Sequence, residues 1–245
     1  MSTQFPLFSK EGARATITLN RSVHHNRIDP DDIPTIHEHL DSVESDPLIQ
    51  LLVITGTGHK TFSSGYTIDA ILTRLDDSFQ LLLSRIEKLH LPTICALNGS
   101  AYGGGVDLAI CCDFRIGVHG SRMFIPAAKF GLHYHPDGIR RFVQRVGPVP
   151  AKKIFMLGRT MDADEMFRVG FLNELVSQED LMTTVDDYQK SILECEAKVS
   201  ASMKKNIDAF AEGDLNREVW RQKYCDTIGS KEIAKRLGKL KKSGT

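Results

Sequence analysis

At 245 residues the chain can bury a substantial core, enough for one large domain or for a domain with a helical appendage. Basic and acidic residues balance at 31 each, so the one-signed field that nucleic acid or an anionic membrane would demand of a partner is missing. No apolar run approaches the length of a membrane span, and the opening "MSTQFPLFSKEG" lacks a charged start followed by an apolar core, so neither membrane insertion nor secretion is expected. Five cysteines without a CxxC spacing, two of them adjacent at Cys111 and Cys112 in an apolar run, predict reduced, buried thiols and a cytoplasmic location.

Along the chain, "ARATITLN" alternates with Ala15, Ile17 and Leu19 on one face, which predicts a half-buried strand. Ile33, Ile36, Leu40 and Val43 then recur at helical spacing behind "DPDD", whose acids suit a helix N-terminus. The nearly continuous apolar run "LIQLLVITG" predicts a strand covered on both faces. Phe79, Leu82, Leu83, Ile86 and Leu89 restore the helical period, and "PTICALNG" follows as another buried strand.

After residue 138 the period is helical almost throughout. Ile139, Phe142, Val143 and Val146 form one stripe; Leu181, Val185, Tyr188, Ile192, Cys195 and Val199 form a longer one. An α/β core over residues 1–180 and a helical region over 181–245 are therefore expected, ending in a basic, solvated helix and a frayed tail.

Two strand ends are rich in glycine. "VITGTGHKTFSSGYTI" fails as a phosphate loop because Lys60 follows His59 rather than glycine, and "ALNGSAYGGGVDLAICCDFRI" lacks the GxGxxG of a dinucleotide site. A nucleotide-dependent oxidoreductase is disfavoured on both counts. Three glycines opening a buried helix leave free N–H groups at its positive end, suited to a carbonyl oxygen that becomes an anion; a tight crossover that needs glycine only for packing is the alternative.

Five blocks, in order from about residue 14 to 182, resemble the crotonase (enoyl-CoA hydratase/isomerase) superfamily. They are "LNRSVHHN", "VITGTGHKTFSSGYTI", "LPTICALNGSAYGGGVDLAICCDFRI", "KFGLHYHPDGIRRFVQRVG" and "LGRTMDADEMFRVGFLNELV". The resemblance implies an α/β spiral of ββα units with a helical C-terminal trimerisation region, assembled as a homotrimer or a dimer of trimers. It also implies an acyl-CoA thioester as ligand, with CoA entering as part of the substrate and no separate cofactor or metal.

By position, the implied oxyanion hole is the N–H of Tyr66 and the N–H of Gly104. His24, His25 and Asn26 fall in the block that runs along CoA, and Ser64, Gly65, Ile68, Gly103, Ala127 and Tyr134 fall at further substrate-binding positions. Of the family's two hydratase glutamates, the first position holds Asp107 and the second Ala127, which cannot transfer a proton. Thr67 stands where an acid is usual, and Asp69 where a lysine is expected near the adenine end.

The segment "GLHYHPDGIRRF" adds His135, at a place where some branches carry a catalytic acid, and Asp137 two residues on. Both are candidate acids or bases beside Asp107. Asp137 also suits a helix N-cap, His133 and His135 could share a metal, and Tyr134 could orient a substrate or fill the core. Two functional classes stay open: an enzyme of enolate chemistry (isomerisation, atypical hydration, C–C hydrolysis or decarboxylation) and a non-catalytic acyl-CoA-binding relative.

Overall fold

The computed structural model describes residues 4–214, 216–228 and 230–243. In chain order its first elements are β1 (Leu7–Glu11), β2 (Arg14–Leu19), α1 (Asp32–Ser45), β3 (Leu51–Gly56), β4 (Thr61–Ser63), α2 (Ile68–Arg74) and α3 (Asp77–Glu87). Then come β5 (Thr93–Leu97), β6 (Ser100–Tyr102), α4 (Gly104–Cys111), β7 (Phe114–Val118), β8 (Arg122–Phe124), α5 (Pro136–Val146) and α6 (Pro148–Leu157). The last are β9 (Met161–Asp162), α7 (Ala163–Arg168), β10 (Glu174–Val176), α8 (Leu181–Glu194), α9 (Ala197–Ala211), α10 (Arg217–Thr227) and α11 (Lys231–Ser243).

Six strands form the main sheet in the order β1-β2-β3-β5-β7-β10, parallel except for the β1–β2 hairpin. A smaller sheet runs β4-β6-β8-β9. The main sheet carries strands whose two faces are both covered, and alternation along the strand shows how. In β3, Leu52 and Ile54 join the large core shared with α1 and α3, while Leu51 and Val53 join a second cluster with Leu181 and Val185 of α8. The apolar run at 51–54 is therefore one strand serving two cores.

Each ββα passage feeds a main-sheet strand into a short strand of the small sheet and then into a helix: β3 to β4 to α2, β5 to β6 to α4. The turns between them, at residues 64–67 and at Gly103, lie side by side because β4 and β6 pair in parallel. That pairing fixes the position of the candidate site.

Three expectations change. The stripe from Leu181 to Val199 is broken into α8 and α9, because Cys195 takes an extended conformation and the Glu196 carboxylate accepts the Val199 N–H at 2.7 Å, starting a new helix. On α5 the buried face is Gly138, Arg141 and Phe142, while Val143 is exposed, since an ion-paired arginine occupies the core side. "NELV" adds β10, a short parallel strand beside β7, within sequence that reads as helical.

The chain divides into two compact units, 1–201 and 202–245, and α8 packs within the first of them. The second unit carries α10, which buries none of its residues, and α11; the expected frayed tail at 244–245 lies outside the described residues. Among the described residues no helix is long and apolar enough to cross a membrane. Cys95, Cys111 and Cys112 are buried free thiols, whereas Cys195 and Cys225 are exposed.

Phe142 joins α5 to the core, with ring centroids 5.0 Å from Phe155 and 6.3 Å from Phe171. Phe142→Ala should lower unfolding stability by about 3–5 kcal/mol, measured by urea titration, because a fully buried ring leaves a cavity at a helix junction.

Candidate active site

The site begins with two loops forced into backbone contact. Gly65 has φ +82°, and a Cβ there would lie 2.5 Å from Gly104 N and 2.6 Å from Tyr102 O. A Cβ on Gly105 would stand 2.6 Å from Ser63 O. Only glycine lets the two chains come this close. A Cβ on Gly104 would lie 3.1 Å from Tyr66 N, so the two amide nitrogens are no more than roughly 5.6 Å apart by covalent geometry.

The loop around Tyr66 is pinned on both sides. Ser63 Oγ accepts the Gly65 N–H at 3.0 Å and donates to Asn26 O at 2.8 Å. Ile28 N–H donates to Gly65 O at 2.8 Å, and Thr67 N–H donates to Ile28 O at 3.0 Å. The Tyr66 ring packs against Phe79, and its hydroxyl donates to Arg74 O at 2.8 Å. On the other loop, Gly103 (φ +48°) donates its N–H to Phe124 O at 2.9 Å, and Gly104 is the first residue of α4. Among the described residues, neither the Tyr66 N–H nor the Gly104 N–H has a protein acceptor.

Asp107 stands three residues beyond Gly104, one turn along the same face of α4. It is 2% exposed; its Oδ2 accepts the Tyr134 hydroxyl at 2.9 Å, and its Oδ1 is buried with no hydrogen-bond partner. Burial pushes the Asp107 carboxyl up to about 6, against the opposing pull of Arg141, Tyr134, Gln80 and His135.

Behind it lies a buried ion pair. Arg141 is fully buried and donates from Nε to Glu87 at 3.0 Å, from one terminal nitrogen to Ser84 Oγ at 3.0 Å and from the other to Gln80 Oε1 at 3.3 Å. Arg140 donates to the same Glu87 oxygen at 2.7 Å. Burial raises the Glu87 carboxyl, but these two arginines outweigh it and hold it below its ordinary value.

The remaining candidates divide. His135 is the N-cap of α5, its Nδ1 accepting the Asp137 N–H at 3.2 Å with Pro136 as the first helical residue. The cap suggested for Asp137 thus belongs to His135, and the Asp137 carboxylate is half-exposed, 3.7 Å from His135 Nδ1 and from Arg140 Nε. His133 is exposed and bonded to Tyr134 O at 2.8 Å; among the described residues no group of three metal-ligating side chains exists. Ala127 is buried at the start of a short 3-10 turn, and Ile68 is exposed on α2.

Asn26 is fully buried and all its side-chain atoms are bonded within the protein: Oδ1 accepts from Arg21 N and Thr57 Oγ1, and Nδ2 donates to Thr57 O and Thr61 O. It braces the Tyr66 loop. His25 (φ +53°) places Nδ1 3.0 Å from Thr61 Oγ1 and, with Ser64, lines a cleft of about 640 Å³; His24 is exposed. Thr67, at the position of the missing acid, donates its hydroxyl to the Asp29 carboxylate, so an acid reaches this point from another loop.

Sequence reasoning missed Asp29, Glu87 and Arg141. Glu87 and Arg141 sit on amphipathic helices as charged residues on the apolar side, and only that misfit of pattern signals them.

The sequence model described as enoyl-CoA hydratase/isomerase matches residues 9–235, and the chain belongs to that family. The chain is 34% identical over 194 residues to a crotonyl-CoA hydratase of Syntrophomonas wolfei, covering 76% of this chain and 75% of that protein. It is 31% identical to a carnitinyl-CoA dehydratase of Citrobacter koseri, covering 84% and 80%. The fold matches the crystal structure of an enoyl-CoA hydratase from Bacillus anthracis with TM-score 0.91 at 21% identity, over 98% of this chain and 97% of that one. A monofunctional enoyl-CoA isomerase from M. smegmatis superposes with TM-score 0.75 at 26% identity, over 86% and 95%. The protein is thus an enzyme of the crotonase superfamily.

A carboxyl raised in the folded state favours folding while protonated and loses that contribution as pH rises from its unfolded value to about 6. Asp107→Asn removes this loss. The variant should match the parent near pH 4 and exceed it by about 1–3 kcal/mol above pH 7, read from chemical denaturation across pH.

Proposed function

We propose that the protein binds an acyl-CoA thioester with its carbonyl oxygen on the Tyr66 and Gly104 amides, and that Asp107 moves a proton at the adjacent carbons. The reading rests on the two unpaired amides next to a buried carboxylate with a free oxygen. Donors fixed in advance where negative charge develops are each worth on the order of a hundredfold to a thousandfold in rate. His25 and Ser64 would flank the CoA portion.

With Ala127 at the second acid position, one carboxylate serves the reaction, and double-bond isomerisation needs only one. Ionised Asp107 takes a proton from the carbon between the thioester and a β,γ double bond. The C–H electron pair passes to the carbonyl oxygen, giving a dienolate on the two amides, and the same proton returns at the γ carbon. The product is the conjugated α,β-enoyl thioester, with no redox change.

The names of the hydratase and dehydratase relatives favour a second reading, in which Asp107 Oδ1 holds a water that adds across an α,β double bond. A panel of 3-enoyl- and 2-enoyl-CoA esters separates the two. Isomerisation creates conjugated-thioester absorbance from the 3-enoyl esters, whereas hydration consumes it from the 2-enoyl esters and incorporates labelled solvent oxygen. Under either, kcat/KM falls as pH drops through about 6 and Asp107→Asn lowers kcat by roughly a hundredfold or more while thioester binding survives. Binding without turnover of any ester would instead mark a non-catalytic relative.

A further inference from the structure

Tyr134 lies on the turn before α5, and its ring fits against Phe155 with centroids 4.7 Å apart. Its hydroxyl reaches across to α4 and spends its hydrogen on one oxygen of Asp107, 2.9 Å away. Among the described residues the other oxygen, Oδ1, has no hydrogen-bond partner. The ring has room for this only because residue 138 is glycine: a Cβ there would fall 2.5 Å from Tyr134 Cε1 and 2.9 Å from Cδ1. An ordinary aromatic plug would also need the missing side chain at 138, but it would not need the hydroxyl contact.

We propose that Tyr134, seated by Gly138, is a positioning residue for Asp107: it holds Oδ2 and thereby presents Oδ1 as the oxygen that exchanges the proton with the ligand. The inference rests on the reading of Asp107 as the acid–base group. A carboxylate gripped at one oxygen cannot rotate its two oxygens freely, so both halves of a one-base proton shift use the same lone pairs. The bond also favours the charged carboxylate.

Other groups facing Asp107 are Arg141 and His135 from α5 and its cap, Gln80 on α3, Cys111 on its own helix, and, through Arg141, Glu87 on α3. Among the described residues, Tyr134 makes the well-formed hydrogen bond to the carboxylate, and Gln80 adds a weaker pull in the same direction. Tyr134→Phe keeps the ring and removes only the hydroxyl. The Asp107 titration midpoint, followed by carboxyl-carbon NMR in the ligand-free protein and assigned by loss of the resonance in Asp107→Asn, should rise by roughly half a pH unit or more.

In turnover, the acid limb of kcat/KM should move up by the same amount and kcat should fall roughly tenfold with little change in KM. A shift of the NMR midpoint in a protein that turns over no thioester would uphold the Tyr134–Asp107 relation and sink the proposed function alone. An unmoved midpoint, or a Tyr134→Phe enzyme that loses stability while keeping its pH profile and kcat, would overturn the inference.

Discussion

Two turns of main chain meet at Gly65 and Gly104–Gly105 more closely than any residue with a Cβ would allow. The parallel pairing of β4 with β6 brings the turns together, and Asn26, Ser63, Ile28 and Thr67 use up the hydrogen-bonding groups around them. What is left over, among the described residues, is a pair of N–H groups with no acceptor. Donors without a partner inside the protein are available to an acceptor from outside it. Helix α4 starts at one of these amides and puts its positive end there.

The second feature of the site is a charge kept in an apolar place. Asp107 is surrounded by protein and carries one free oxygen, with Tyr134 on the other and the Arg141–Glu87 pair behind. A buried arginine with no acid would be expensive, and a buried acid with no cation would be neutral. Glu87 takes the direct ion pair with Arg141, which leaves Asp107 under a more distant positive charge that opposes, without cancelling, the upward push of burial to about 6. The short reach of the Asp107 side chain goes together with a tyrosine hydroxyl bonded to one of its oxygens.

Much of the fold was legible in apolar spacing. Alternation at Ala15, Ile17 and Leu19, the helical period at Ile33 to Val43 and at Phe79 to Ile86, and the continuous runs at 51–54 and 93–97 correspond to elements of the structure. The three-residue strands β4, β6, β8 and β10 were not, since so few residues carry no period. The break between α8 and α9 escaped because the apolar stripe continues through it and the interruption comes from a Glu196 cap. The family blocks supplied the candidate positions for Tyr66, Gly104 and Asp107. What they left open was set by contacts far apart in sequence: Asp29 beside Thr67, Tyr134 on Asp107, Arg141 on Glu87.

The proposed polarising role of the two amides is best tested by difference infrared spectroscopy of a bound acyl-CoA analogue carrying a ¹³C-labelled thioester carbonyl. A carbonyl held by the Tyr66 and Gly104 N–H groups will absorb at clearly lower frequency than the free thioester. A tightly bound thioester whose carbonyl band stays at its solution frequency would contradict it.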